Sequence, residues 1–412
     1  MLPRSGDLPL LITIIAGAVA LLVTFGLSYG RFARSDSWAA TVTPLASIIG
    51  SGFLISGPLL AHEFGGAAIW AMAALLLLAY AVGAVIRSNI IHVEDYLAKA
   101  SFHDPVVWSA RMTQVVLAGA YAVSVAYYLK LLAEFALKPL AVPDAWHALI
   151  SNLSVTAIIL ILMALAFGGG LRRVEHVAHG TVSLKIGIIA GLLAGLGCWW
   201  VTHLGATAEV PPIKVSWASV PMLLGLLITV QGFETSRYLG HAYDQAVRIR
   251  TMRHAQWIAS FIYIAFLALL TPFLGVAAKA EGVAGILDIM RMVAPALGVF
   301  VLIGALSSQL SAAVADSIGS GGLMNEVSRR KLSVPAAFAI AGGLAIAVVW
   351  LTDPFQVVAV SSRAFALFYA LQCGLALMVS FRTGAGGWFA RIGFLLIGMI
   401  CLVAAAMGAP AE

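Results

Sequence analysis

Residues 41–66 read TVTPLASIIGSGFLISGPLLAHEFGG, and residues 216–244 read SWASVPMLLGLLITVQGFETSRYLGHAYD. Both stretches are apolar enough for a bilayer, and both are interrupted near the middle. In the first, Gly50-Ser51-Gly52 stands between Pro44 and Gly57-Pro58; in the second, Gln231-Gly232-Phe233-Glu234 breaks an otherwise apolar run. Each glycine weakens a helix by roughly 1 kcal/mol relative to alanine. Backbone groups freed inside lipid must be buried in protein or face a cavity. Taken alone, the glycines also suit close helix packing, since small residues let backbones approach. The pair says more than either member. Gly50 and Gly232 are 182 residues apart, and each opens a block of five apolar segments. Five is odd, so the second block enters the membrane from the opposite side. Matched interruptions in oppositely oriented halves are the sequence pointer to a secondary-transporter site.

The rest of the chain agrees with a membrane setting. Of 412 residues, 61% are hydrophobic and 10% charged, against roughly a quarter charged in an ordinary soluble domain. That composition excludes a soluble globular enzyme, a disordered protein and a nucleic-acid binder. The formal charge of +6 reflects the cationic loops that membrane insertion selects. Twelve apolar segments are expected, at about 9–32, 38–62, 67–88, 108–137, 146–168, 177–201, 216–240, 255–277, 294–318, 335–351, 355–381 and 387–409. None has the alternating pattern of a membrane barrel, so all are read as helices. The first is too long for a signal-peptide core and lacks a small-residue cleavage site, so a retained helix is expected. Cys198, Cys373 and Cys401 lie inside apolar runs without metal or disulfide spacing and read as packing residues.

Orientation follows from lysine and arginine. With the Arg31–Asp36 loop taken as cytoplasmic, alternate loops hold sixteen of them, among them Arg87, Lys99, Arg172, Arg248 and Arg329. The opposite loops hold six: Arg4, Lys130, Lys138, Lys214, Lys279 and Arg291. This asymmetry puts both termini on the non-cytoplasmic side, in a bacterial inner membrane.

The interrupted motifs also carry a resemblance. Ile49-Gly50-Ser51-Gly52-Phe53 resembles the glycine-serine-glycine signature of the first core helix in the amino acid–polyamine–organocation superfamily. Gly232-Phe233-Glu234 resembles the signature of its sixth core helix, and Tyr243 through Arg253 the basic loop that follows. Ser183-Leu184-Lys185-Ile186 is similar to the fifth core helix of proton-coupled members, and Ser307 to Leu332 to the eighth. The resemblance covers about residues 38–381 and implies an all-α polytopic fold of twelve transmembrane helices. Ten of these form a leucine-transporter-like five-plus-five inverted-repeat core, discontinuous in its first and sixth helices. The expected organisation is an extra helix at 1–35, a first repeat at 36–201, an inverted repeat at 202–381 and a last helix at 382–412.

The resemblance implies that substrate is held by Ile49, Gly50, Ser51, Gly52, Gln231, Gly232 and Phe233, with Tyr121 packing over the site. Lys185 lies about 14 Å into its segment, where a charge is costly. It is either a fixed counter-charge or a group that titrates during transport and replaces the sodium of related carriers. Ser307, Ser308 and Ser311 are expected to line the same place, although serines on membrane helices also bond back to their own turn. Glu234 is expected to organise the unwound segment and gate, to carry the proton, or to snorkel to the surface. Arg363 stays charged and needs an anion, either Glu234 or substrate. The expected activity is proton-coupled transport of a small amino acid or amine-like solute by alternating access, with no cofactor and no nucleic-acid partner. Its partners are then the solute, protons and the lipid bilayer; the oligomeric state is not legible. Three rivals stand beside it: a same-fold carrier of an inorganic ion or organic anion, a non-transporting solute sensor, and an intramembrane enzyme. The enzyme lacks any serine–histidine, paired-aspartate or zinc constellation in the sequence.

Overall fold

The structure, a computed structural model, describes residues 8–31, 35–140, 142–167, 182–204, 210–240, 242–280 and 282–410. Among these residues it is all helical. In chain order the helices are α1 (Leu8–Tyr29), α2 (Asp36–Ser51), α3 (Phe53–Phe64), α4 (Ala68–Ser88) and the short α5 (Glu94–Leu97). Then come α6 (Pro105–Leu137), α7 (Asp144–Phe167), α8 (Val182–Thr202) and the seven-residue α9 (Ser219–Gly225). The remainder are α10 (Gln245–Leu270), α11 (Leu274–Ala277), α12 (Ile286–Val293), α13 (Pro295–Val327), α14 (Val334–Leu351), α15 (Pro354–Thr383) and α16 (Gly387–Met407). Arg172, one of the basic loop residues, lies outside the described residues.

Ten helical stretches among the described residues are long and apolar enough to cross a membrane, rather than the twelve expected. Two expectations account for the difference. The segments at 38–62 and 67–88 fall within one 62-residue run, Asp36–Leu97. The segment at 216–240 forms no continuous helix: α9 is followed by tight 3₁₀ turns at Leu227–Val230 and Phe233–Leu239. The amphipathic helix α12 occupies a stretch expected to be loop.

Helix starts are fixed by short polar caps that the apolar pattern does not show. Asp104 accepts from Val106 N–H (2.8 Å) ahead of Pro105, and Asp244 accepts from Val247 N–H (2.7 Å). Asp353 precedes Pro354 and forms a reciprocal capping box with Gln356. These contacts satisfy amide donors that have no partner in the first turn. The Val106 amide, then the Tyr96 hydroxyl and Arg382, hold the Asp104 carboxyl below the usual carboxylate range.

Small residues decide how closely the helices pack. The long α6 and α13 lie along each other, and α1 lies along α8. A methyl at Gly191 of α8 would sit 2.5 Å from the Ala16 carbonyl oxygen and 2.9 Å from Ala20 Cβ. Gly26, on the same α1, has nothing within 4 Å. Gly191→Leu is therefore expected to destabilise the fold by about 1–3 kcal/mol, the usual cost of overpacking, and Gly26→Leu to be neutral in the same detergent melts. Asp104→Asn is expected to lower the apparent melting temperature at neutral pH. Because the native carboxyl is the stronger acid, that deficit shrinks below about pH 4, as melts across a pH series will show.

Candidate functional site

The region expected to break in α2–α3 departs from a regular helix at one residue. Gly52 separates the two helices with φ −93° and ψ −19°, still right-handed, and its carbonyl accepts Ser56 N–H at 3.0 Å. Gly50 and Ser51 belong to α2 itself; the Ser51 side chain lies outside the described residues. A helix end leaves carbonyls without partners, and two hydroxyls fill them here. Ser308 on α13 donates to the Gly50 carbonyl, and Tyr263 on α10 donates to the Ile48 carbonyl at 3.1 Å.

The second break is larger. Between α9 and residue 240 the chain passes through Gln231 in an extended conformation (φ −81°, ψ 172°) and Gly232 at φ +117°. Only glycine takes that left-handed conformation without strain. Side chains again replace the missing helical bonds. Ser362 on α15 donates to the Gly225 carbonyl (2.7 Å) and accepts from Ile228 N–H (2.9 Å). The Tyr263 hydroxyl lies against the Thr229 carbonyl as well, so its single hydrogen is shared between the Ile48 and Thr229 carbonyls. Glu234 Oε2 accepts from Gly232 N–H and from the Tyr369 hydroxyl, each at 2.9 Å.

The two irregular segments touch. A methyl on Gly52 would overlap the Thr229 backbone, and one on Gly232 would lie 2.6 Å from Ser47 Cβ and 2.8 Å from the Ser47 carbonyl carbon. Ile49, Gln231, Phe233 and Glu234 are all 2% exposed or less. Phe233 stacks on Tyr369 with ring centroids 5.4 Å apart. Gln231 Nε2 donates to the Tyr128 hydroxyl at 2.9 Å. Gln231 Oε1 and Glu234 Oε1 are buried acceptors that no donor reaches among the described residues. Acceptors left so are costly, and each calls for a ligand, water or ion.

Lys185 on α8 is buried and donates to the Ser311 hydroxyl, which donates to the Ser308 carbonyl at 3.0 Å. With the bond from Ser308 to Gly50, a polar chain runs from Lys185 to the end of α2. No ion pair to Lys185 occurs among the described residues, so the fixed counter-charge to a carboxylate has no counterpart there. Tyr121 on α6 is buried, packed against Gly319 and edge-on to Phe365 at 5.8 Å.

Two expected residues fall elsewhere. Ser307 bonds back to the Ile303 and Gly304 carbonyls of its own helix (2.7 and 3.2 Å), as serines in apolar helices commonly do. Arg363 does not pair with Glu234. It is exposed, and its Nε donates to the Gly408 carbonyl at 2.6 Å, just past the C-terminus of α16, where a helix end attracts a cation. The bowl of about 520 Å³ lined by His92, Asp95, Tyr96, Lys99 and Asp104 is also remote from the breaks in sequence.

Several residues at the site were not anticipated. Tyr263, Tyr369 and Ser362 hold the freed backbone and the Glu234 carboxyl. Away from the breaks, Asp316 on α13, 5% exposed, is in hydrogen-bond contact with the Ser124 hydroxyl of α6. Each lies within an apolar run, where a polar group must find an internal partner, and that was the available signal. No set of three or more His, Cys, Asp or Glu placed to hold a metal occurs among the described residues.

Known proteins resemble this arrangement. A family described as APC superfamily transporter matches residues 30–408. A protein of Aquifex aeolicus (strain VF5), described as uncharacterized, is 37% identical over 353 residues, covering 85% of this chain and 86% of that one. A crystal structure of the Eremococcus coleocola manganese transporter, in complex with an aromatic bis-isothiourea substituted compound, superposes with a TM-score of 0.58 at 13% identity. It covers 89% of this chain and 85% of the other. A mutant form of that transporter gives a TM-score of 0.58 at 13% identity over 90% and 87%. At that identity the likeness is one of fold. From the family match and the Aquifex relative together, the chain belongs to the APC superfamily of transporters.

Proposed function

We propose that this transporter moves a small amino acid or amine-like solute together with protons by alternating access. The observation that carries the reading is the pair of donorless buried acceptors, Gln231 Oε1 and Glu234 Oε1, on the segment that touches α2. Two such acceptors suit a donor-rich cationic group such as an ammonium. The carboxylate end of the solute then meets main-chain N–H groups around Gly52 at the start of α3, a positive helix end. Ile49 and Gly50 form the wall on that side, Phe233 and Tyr121 the aromatic cover.

Lys185 is the coupling group in this reading. It is buried with no ion pair among the described residues, and its contacts pass through Ser311 and the Ser308 residue to the Gly50 carbonyl, so loss or gain of its proton bears on the α2 end. Glu234 organises the unwound turn through Gly232 N–H and Tyr369. The twelve-helix count follows if Asp36–Leu97 crosses twice and the broken stretch near 216–240 crosses once, with both termini outside the cytoplasm. Chemistry at the site is confined to binding and proton movement. An inorganic cation remains the second reading, since the unpaired acceptors are oxygens and the structurally similar Eremococcus protein is a manganese transporter. The organic-anion reading loses its chief support, because Arg363 is engaged at Gly408.

Purified protein in proteoliposomes, given radiolabelled alanine with and without an inward proton gradient, tests the proposal; manganese in place of alanine tests the second reading. Gradient-driven accumulation of alanine is expected, and its absence with manganese uptake intact overturns the amino-acid assignment. Gly232→Ala forces a left-handed alanine, at roughly 1–2 kcal/mol, against Ser47, and is expected to cut uptake about tenfold or more in protein that still elutes as a single species. Lys185→Ala is expected to abolish gradient-driven accumulation while alanine counterflow continues; loss of both together contradicts the coupling role.

A further inference from the structure

We infer that Asp316 is a second proton-exchanging group of the carrier, working across the α6–α13 interface with Ser124. The inference rests on the proton-coupled reading but concerns a residue which that reading leaves unused.

Asp316 lies in the twenty-second position of the 33-residue α13, about 32 Å along it. It is 5% exposed. An ionisable group buried within a membrane-spanning helix normally pairs with an opposite charge or serves transport. Asp316 has no cationic partner in any ion pair among the described residues. Its partner is a hydroxyl, and counting hydrogens at that hydroxyl is informative. Ser124 Oγ lies 2.9 Å from the Tyr121 carbonyl and also against Asp316 Oδ2. A serine hydroxyl carries one hydrogen, so it cannot donate to both. Both contacts are hydrogen bonds only when the carboxyl supplies a proton: Asp316 O–H donates to Ser124 Oγ, and Ser124 donates to the Tyr121 carbonyl. A lone carboxylate without a cation is also much the costlier occupant of such a site.

The groups facing Asp316 permit exchange rather than permanent capture. From α6 come Ser124 and the Tyr121 phenol; from the unwound segment Glu234 acts on it electrostatically. Lys185 on α8 reaches the same α13 five residues earlier, at Ser311. Helix α14 carries no ionisable side chain between Val334 and Leu351. Glu234 is the nearby like charge, so cargo or proton arriving at Glu234 changes the field at Asp316. The interface is held independently of the carboxyl by Ser320, which donates to the Ala118 carbonyl at 2.8 Å, and by Tyr121 against Gly319. Losing the Asp316 proton therefore leaves the helices seated.

Infrared difference spectroscopy on the whole protein in lipid discs, titrated from acid to alkaline buffer, reads the proton directly. A protonated-carboxyl band that fades on titration is expected in the wild type and in Glu234→Gln, and is expected to be missing in Asp316→Asn. A band that survives in Asp316→Asn, or none in the wild type, overturns the inference. In proteoliposomes, Asp316→Asn is expected to keep alanine counterflow within about twofold and to lose gradient-driven accumulation about tenfold or more. Accumulation retained in Asp316→Asn overturns the exchange role while leaving proton-coupled transport standing. Wild-type vesicles that show no gradient-driven accumulation fail the proposed function instead, and the infrared band still decides whether Asp316 holds the proton. Should Asp316→Asn not fold, Ser124→Ala keeps the carboxyl and removes its acceptor; a shift of the band sustains the assignment and an unmoved band overturns it.

Discussion

A peptide group inside a bilayer has no water to turn to, and every backbone bond that a helix gives up must be replaced from within the protein. The two irregular segments of this carrier depend on that replacement. Ser308 covers the Gly50 carbonyl, Tyr263 shares its one hydrogen between the carbonyls of Ile48 and Thr229, and Ser362 bridges Gly225 and Ile228. Each donor comes from a different helix: α13, α10 and α15. The unwound backbone is therefore a junction, and a movement of any of those three helices alters which main-chain groups are satisfied.

Glycine sets the spacing of the junction. Gly52 and Gly232 lie where the two segments press against each other, the first against Thr229 and the second against Ser47. The contact is reciprocal: each break offers the surface on which the other rests. Gly232 has a further duty, because its positive φ turns the chain so that its own N–H reaches Glu234. One side chain thereby closes the turn and, through Tyr369, ties it to α15.

Much of this was legible in the residues. The apolar runs place most helices to within a few positions, because length and hydropathy are what the bilayer selects. The two glycine motifs mark the places where the helices depart from regularity. What the sequence did not disclose was degree: Gly50-Ser51-Gly52 suggests an open stretch, yet one residue interrupts the helix, because Tyr263 and Ser308 hold the carbonyls around it. Arg363 was misjudged for a related reason. Its position in the chain says that it needs an acceptor, but only the packing of α16 on α15 shows that a main-chain carbonyl at Gly408 serves. Asp316 and Ser362 escaped notice because they lie among small residues and serines that are ordinary in any membrane helix.

Three of the interior ionisable groups share one feature that bears on transport. Lys185, Glu234 and Asp316 are buried, and among the described residues none sits in an ion pair; each is held by a hydroxyl, from Ser311, Tyr369 and Ser124 respectively. An ion pair locks both partners, because neutralising one strands a buried charge on the other. A hydroxyl both donates and accepts, so it accommodates either protonation state of the group beside it. Proton exchange in a low-dielectric interior, as proposed for this carrier, is better served by hydroxyl partners than by counter-ions. Lys185 bonds to α13 and Asp316 lies on it, and that same helix holds the end of α2. A change of charge at either group therefore acts on the helix that holds the Gly50 carbonyl.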